Sequence, residues 1–412
     1  MPTELRPITG DEFDDLLGVL STAFGEDSTP EASEYERRIF ELDRSLAAFD
    51  GGDIVASAGA YSFELTLPGG VTAPAAGVTW VGVLPTHRRQ GILRSMMAHQ
   101  LADIADRGEA LAVLEASEGA IYGRFGYGPA SFSVAVDLAT RAVRLRPEPG
   151  TGGRIRLLDD KAARQVLPQV CEATRRQRPG LIRRSDAYWE SYFTDPKDWR
   201  GDASARRYAG HADAAGRPDG FVAYRVKETW SESDTLPGNT VIVTDTRAAS
   251  PETDAALCAY LTEIDLVGKV SLRRRPVDDP LRFRLGDLHH YRVKRMGEGL
   301  WVRLVDVAGA LALRRYARDE TLVLSVRDRC LPANHGCYRL TAGPDGSSCD
   351  RVGDAADADL TIDVDALGAA YLGGVSFTVL GAAGRAVGEP AALRRADALF
   401  AATPLPFGDL SF

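Results

Sequence analysis

GVTWVGVLPTHRRQGILRSMMAHQL, residues 77–101, is the stretch on which the fold turns. Residues 77–84 read as a strand. The run that follows holds arginines and a single glycine. Residues 91–107 then read as an amphipathic helix with Leu93, Met96, Met97, Leu101 and Ile104 turned inward. A strand feeding a helix through such a loop leaves backbone N–H groups unpaired at the helix start, where they attract anions. Gly91 allows a phosphate to approach the backbone closely. Arg88, Arg89 and Arg94 place positive charge around it, so the expected ligand is a pyrophosphate. The ending is not the GK[ST] of a Walker loop. Arginines flanking a helix start also occur as a plain solvated terminus, and the loop alone leaves both readings open.

Upstream, Thr9-Gly10-Asp11-Glu12 fits a capping box ahead of the helical stripe Phe13, Leu16, Leu17, Leu20 and Phe24. A second helix is expected over 34–42. A hairpin follows, with strands over 45–50 and 54–67 about a Gly51-Gly52 turn. Downstream, 110–116 reads as a buried strand, 118–125 as a short helix, and 131–138 as the strand that closes this unit. Residues 146–153 hold two prolines and three glycines and read as a linker. The pattern then restarts: strands over 155–158, 220–226, 240–244 and 269–273, and helices over 162–174 and from Ser250-Pro251 to residue 263. From about Gly297 the texture is α+β. Strands are expected over 301–305, 321–326 and 360–364, helices over 307–316, 365–372 and 389–400, and an apolar tail over 404–412.

The 412 residues carry a formal net charge of −9, which argues against a general nucleic-acid binder. With 44% hydrophobic and 26% charged residues, the composition is that of a chain that buries real cores. The five cysteines, Cys171, Cys258, Cys330, Cys337 and Cys349, are irregularly spaced and read as reduced thiols. Cys330, His335, Cys337 and Cys349 hold no CxxC pair, so no metal is expected. The start MPTELRPITGDEF has neither a basic region nor an apolar core of a signal peptide, and apolar runs break before about 20 residues. The expected compartment is the cytoplasm, with no membrane span.

The second informative stretch is EASEGAIYGRFGYGPAS, residues 115–131. Its segment EGAIYGRFGYGPA, taken with LPTHRRQGILR, resembles the Eis (enhanced intracellular survival) branch of the GNAT acetyltransferases. Arg88-x-x-Gly91-x-Leu93 approximates the coenzyme A loop of that superfamily. The resemblance implies an α/β chain of three parts: a catalytic GNAT domain over 1–148, a second GNAT-like domain without the cofactor loop over 149–296, and an α+β sterol-carrier-like domain over 297–412.

The resemblance further implies an acetyl-CoA-dependent enzyme. The backbone at Val81, Gly82 and Val83 would hold the acetyl and pantetheine arm. Arg88, Arg89, Gln90, Gly91, Ile92, Leu93 and Arg94 would wrap the pyrophosphate, and Ser117 and Glu118 would complete the donor contacts. Tyr122 matches the family's general acid and the terminal carboxylate of Phe412 its general base. Tyr127 is a rival donor, and Ser117 could instead cap the short helix. Glu26, Trp80 and Glu115 fall at positions lining the acceptor pocket. Ser411 departs from relatives with glutamate there, and Asp409 is the nearby acid that could substitute. The implied acceptors are primary amines of aminoglycosides or polyamines, or lysine side chains of proteins, and the implied assembly is a homohexamer. The readings set beside this one are a protein-lysine or small-metabolite acetyltransferase, and a non-catalytic CoA- or lipid-binding regulator.

Overall fold

The computed structural model describes residues 3–27, 29–141, 143–146, 152–229, 238–353 and 357–412. They form two compact bodies, Met1–Ser131 with Arg178–Ile182 and Glu298–Phe412, and Phe132–Gln177 with Arg183–Gly297. Most of the expected linker, including the expected boundary at 148, lies outside the described residues.

In the first body the capping box forms. Glu12 accepts from the Thr9 N–H at 2.8 Å and closes a single turn ahead of helix Phe13–Phe24, which buries Phe13, Leu16 and Leu17. Helix Pro30–Ile39 follows, starting and stopping earlier than the sequence suggested. The first sheet has the order Glu4–Arg6, Leu46–Asp50, Asp53–Thr66, Thr72–Val83, Leu111–Glu115, Leu300–Leu304, Gly128–Pro129. Its one parallel pair is Thr72–Val83 with Leu111–Glu115, joined by helix Ile92–Asp106. That helix buries Ile92, Met96, Met97, Leu101 and Ile104 against the sheet, while the expected inward residue Leu93 is half-buried.

Two strands sit elsewhere than expected. Phe132–Ala139 does not close the first sheet; it pairs antiparallel with Val267–Pro276 in the second body. Its place is taken by Leu300–Leu304, expected in the C-terminal domain but inserted between Leu111–Glu115 and Gly128–Pro129. Alternation identifies a strand but not its partner. All five residues of Leu300–Leu304 are buried, as suits an interior strand.

The C-terminal part of the first body is a second, five-stranded sheet. Its order is Ser347–Val352, Gly336–Ala342, Glu320–Arg327, Leu360–Asp363, Ala386–Gly388. Helices Val307–Leu313, Val364–Tyr371, Phe377–Ala382 and Pro390–Phe400 accompany it. Arg303, on the inserted strand, pairs with Asp328 at 2.6 Å with both side chains fully buried, tying the two sheets of this body together.

The second body repeats the GNAT texture. Its sheet runs Arg292–Glu298, Phe132–Ala139, Val267–Pro276, Asn239–Ala248, Pro218–Lys227, Arg207–Ala212, Arg154–Leu158. Helix Pro251–Thr262 starts as expected, with Ser250 accepting from the Thr253 N–H at 3.1 Å. A cavity of about 560 Å³ lies in this body beside Arg154, Arg156 and His211; none of the expected site residues lines it. Among the described residues no helix is long and apolar enough to cross a membrane.

Candidate active site

The site begins with an irregularity in strand Thr72–Val83. Its register against Asp53–Thr66 shifts between Ser57 and Gly59: Ser57 faces Gly82, whereas Gly59 faces Thr79. The extra residue is accommodated at Trp80, which takes a left-handed φ of 59°. A bulky side chain there costs roughly 1–3 kcal/mol. Ring contacts at 6.0 Å to Phe13 and 4.9 Å to Phe40 each return roughly 0.5–1.5 kcal/mol. The indole N–H also donates to the Tyr61 hydroxyl at 2.8 Å, and the Trp80 carbonyl accepts from the buried Ser57 at 2.7 Å. Across the bulge, Gln100 donates to the Gly59 carbonyl at 2.9 Å.

The bulge has two consequences. First, it turns Trp80 to the opposite face from Val78. Val78 packs in a cluster with Met97, Leu101 and Tyr122, while Trp80 packs with Phe13, Leu16 and Tyr61. Second, the parallel pairing with Leu111–Glu115 consists of Ala76 opposite Ala112 and Gly77 opposite Val113, and goes no further. Beyond Gly77 no further pairing joins the two strands, and among the described residues Val81, Gly82 and Val83 have no strand partner on that edge. Backbone groups at such an edge can bind the amide-rich arm of a donor or a developing oxyanion.

The loop after this strand leads into an open helix start. Gly91 has φ 87° and its missing Cβ would meet nothing within 4 Å, so it is the left-handed conformation, not crowding, that favours glycine there. No side chain caps that helix. Arg89 also takes a left-handed φ, 64°, and Arg89, Gln90 and Arg94 are exposed. Arg88 serves differently. It donates to the carbonyls of Val83 at 3.2 Å and Ala23 at 3.1 Å, fastening the loop to the end of the first helix.

Tyr122 ends the short helix Gly119–Tyr122 and is buried. Burial raises its pKa above the ordinary tyrosine value, against the opposing hydrogen bond with Ser117. It is therefore a phenol at neutral pH, able to give a proton. Ser117 is exposed and does not cap the helix; the cap position is Glu118, also exposed. Tyr127 packs edge-on to Tyr122 at 6.2 Å, is wholly buried, and its hydroxyl meets no hydrogen-bond partner among the described residues.

The chain's last residues return to the same body. Arg178 donates to the Leu405 carbonyl at 2.6 Å and the Phe407 N–H to Pro179 O at 2.9 Å, and Leu410 is buried. Phe412 sets its ring edge-on to Phe63 at 4.8 Å and joins the cluster of Trp80 and Tyr61. Gly77 makes room for this: a Cβ there would stand 2.1 Å from the Phe63 ring. Ser411 donates to Glu115 at 2.7 Å. Glu26 is exposed just past the Gly25 helix end. Phe63, Ser57 and Arg178 were not anticipated. An isolated serine and a phenylalanine in an apolar strand were the signals for the first two, and Arg178 carried none.

Residues 4–130 and 180–304 each match a family model for an acetyltransferase (GNAT) domain, and 307–407 match a sterol carrier protein domain. A protein from Streptomyces avermitilis described as an uncharacterized N-acetyltransferase is 40% identical over 99% of both chains. N-acetyltransferase Eis from Mycobacterium tuberculosis is 32% identical over 97% of both. The chain belongs to the Eis family of GNAT N-acetyltransferases. The crystal structure of Eis1 from Mycobacterium abscessus covers all of this chain and is itself covered in full, with 35% identity and a TM-score of 0.87. A GCN5-related N-acetyltransferase from Anabaena variabilis shares the fold at 18% identity, full coverage of both chains and a TM-score of 0.86. The two GNAT domains and the sterol-carrier-like domain expected from the sequence are thus those of an Eis-type N-acetyltransferase, a class whose acetyl donor is acetyl-CoA. Among the described residues no group of three or more His, Cys, Asp or Glu is placed to hold a metal ion, Cys330, His335, Cys337 and Cys349 included.

Proposed function

We propose that this Eis-type enzyme acetylates primary amines of aminoglycoside-like or polyamine acceptors by direct attack on the acetyl group of acetyl-CoA. The observation that carries the reading is the parting of Thr72–Val83 from Leu111–Glu115 after Gly77, with Tyr122 packed on one face of the parting strand and Phe412 on the other. A donor seated along Val81–Val83 has the phenol of Tyr122 on the helix Ile92–Asp106 side. An acceptor reaching the same edge comes from the Trp80 side, past Phe412.

In this proposal the backbone N–H groups of Ile92, Leu93 and Arg94, at the open helix start, hold the pyrophosphate with the guanidiniums of Arg89 and Arg94. Gln90 and Gly91 shape the loop and Arg88 fastens it. Ser117 and Glu118 flank the donor arm. The carboxylate at Phe412 draws in the acceptor ammonium and takes its proton, a terminal carboxylate being ionised at neutral pH. The freed amine attacks the thioester carbonyl, backbone N–H groups of Val81–Val83 stabilise the oxygen's charge, Tyr122 protonates the departing thiolate as the C–S bond breaks, and the proton shed by the new amide nitrogen restores the phenol. Glu26 and Glu115 add the negative charge that a polycationic acceptor seeks. The proposed working form is a cytoplasmic homohexamer, with domain limits near 1–148, 149–296 and 297–412.

The test is CoA thiol release from acetyl-CoA across aminoglycosides, polyamines and lysine peptides, using protein with an unmodified C-terminus. Release that depends on aminoglycoside or polyamine supports the proposal. Release with lysine peptides alone would replace the acceptor class, and none with any amine would remove the reaction.

A further inference from the structure

The tail carries a contact that the proposed chemistry does not use. Ser411 and Glu115 are 296 positions apart in sequence, yet the serine hydroxyl donates to a carboxylate oxygen of Glu115 at 2.7 Å. Glu115 is a firm anchor, because it ends strand Leu111–Glu115, where it lies opposite Leu300 in the antiparallel pairing. Leu300 is itself held, its N–H donating to Ser131 at 2.9 Å. The tail is secured upstream by Arg178 and Pro179 and by the burial of Leu410. Past Leu410 it is held by this hydrogen bond and by the packing of Phe412 against Phe63 and the cluster of Trp80 and Tyr61. An aromatic contact fixes where the ring lies but leaves the backbone free to swivel about it. A hydrogen bond to a charged acceptor one residue earlier is directional and strong for its kind, and it removes that freedom.

We propose that Ser411 and Glu115 are a positioning pair that aims the carboxylate of Phe412, so that Glu115 acts through the tail as well as by its charge. This rests on the reading of the Phe412 carboxylate as the base. It also accounts for serine at 411: a short hydroxyl donor is what a carboxylate at 115 requires, whereas glutamate there would set two like charges against each other.

The experiment has a kinetic arm and an arm that does not read activity. In the first, Ser411→Ala lowers kcat about fivefold to tenfold with the KM for acetyl-CoA within about twofold of the parent, as loss of one charge-assisted hydrogen bond implies. Ser411→Thr, which keeps the hydroxyl, restores kcat to within about twofold. Ser411→Ala added to Glu115→Ala causes no further loss, since the contact is already gone. In the second arm, carboxypeptidase A releases Phe412 faster from Ser411→Ala and Glu115→Ala than from the parent, with Ser411→Thr at the parent rate. Equal release from parent and Ser411→Ala, or losses that multiply in the double variant, would overturn the pair. Faster release with unchanged kcat would also overturn it, since the contact would then hold the tail without aiming the base, whose own test is the C-terminal extension.

Discussion

Each body contains a parallel strand pair bridged by a helix, and the two pairs differ where it matters. In the first body the pairing ends after Ala76–Ala112 and Gly77–Val113, and the leading strand bulges at Trp80. In the second, Asn239–Ala248 and Val267–Pro276 stay paired over five positions, from Asn239–Val267 to Val243–Leu272. The bridging helices differ in the same sense. One starts uncapped at Gly91 behind a run of arginines; the other is closed by the Ser250 side chain with Pro251 in its first turn. The proposed donor site needs both features, parallel strands that separate and a following helix start that is left open. The second sheet keeps its pair joined and its helix start capped.

That contrast can be broken at several points. The largest effect is expected at the tail, which belongs to the first body: one glycine added after Phe412 lowers kcat at least about 100-fold, the usual scale of a lost general base, while an N-terminal tag leaves it unchanged. Equal turnover of the two forms would dissociate the tail from the cleft. Next, Tyr122→Phe lowers kcat more than about tenfold with little change in acetyl-CoA affinity; unchanged turnover would pass the acid role elsewhere.

A pair of substitutions then compares the two helix starts directly. Gly91→Val forces a branched side chain to φ 87° and weakens acetyl-CoA binding about tenfold in calorimetry, roughly 1.4 kcal/mol. Ser250→Ala leaves that affinity untouched and costs about 1 kcal/mol of stability, the worth of a cap. Loss of acetyl-CoA affinity in the Ser250 variant would mean that the second body binds donor after all.

The smallest effect concerns charge. In the second body the buried Asp279 and the half-buried Asp254 meet Arg275, which holds Asp279 below its usual range against the cost of burial, as Arg303 meets the buried Asp328 in the first. In the first, burial alone pushes Glu36 up to about 7 from an ordinary value of 4.5. Between those values the native state holds a proton that the unfolded chain has released. The stability tied to that proton is present at low pH and is lost as pH rises through 7. Glu36→Gln should therefore raise Tm at pH 8 and leave it unchanged at pH 4.5. The same change at both pH values would show that Glu36 does not titrate differently on folding.

Much of this was legible from local pattern. The capping box at Thr9, the turn at Gly51-Gly52, the helix behind Gly91 and the cap at Ser250 all formed, because each is decided by residues within a few positions of one another. Strands Arg207–Ala212, Gly336–Ala342 and Ser347–Val352 were not anticipated. The last two flank Gly343-Pro344-Asp345-Gly346, a turn signal present in the sequence, but their partners in the sheet are set by distant residues.

By itself the sequence determined the strand–loop–helix motif, the candidate phenol at Tyr122, the apolar tail and membership of the acetyltransferase class, since these are written in contiguous residues. Only the tertiary structure decided that Phe132–Ala139 and Leu300–Leu304 sit in sheets other than those expected, that the strand bulges at Trp80, that Arg88 fastens the loop, and that Ser411 finds Glu115. Each of these depends on a partner 20 to nearly 300 positions away. Strand pairing and side-chain hydrogen bonds are set by which surfaces remain to be buried once the rest has packed, and no local run of residues carries that information.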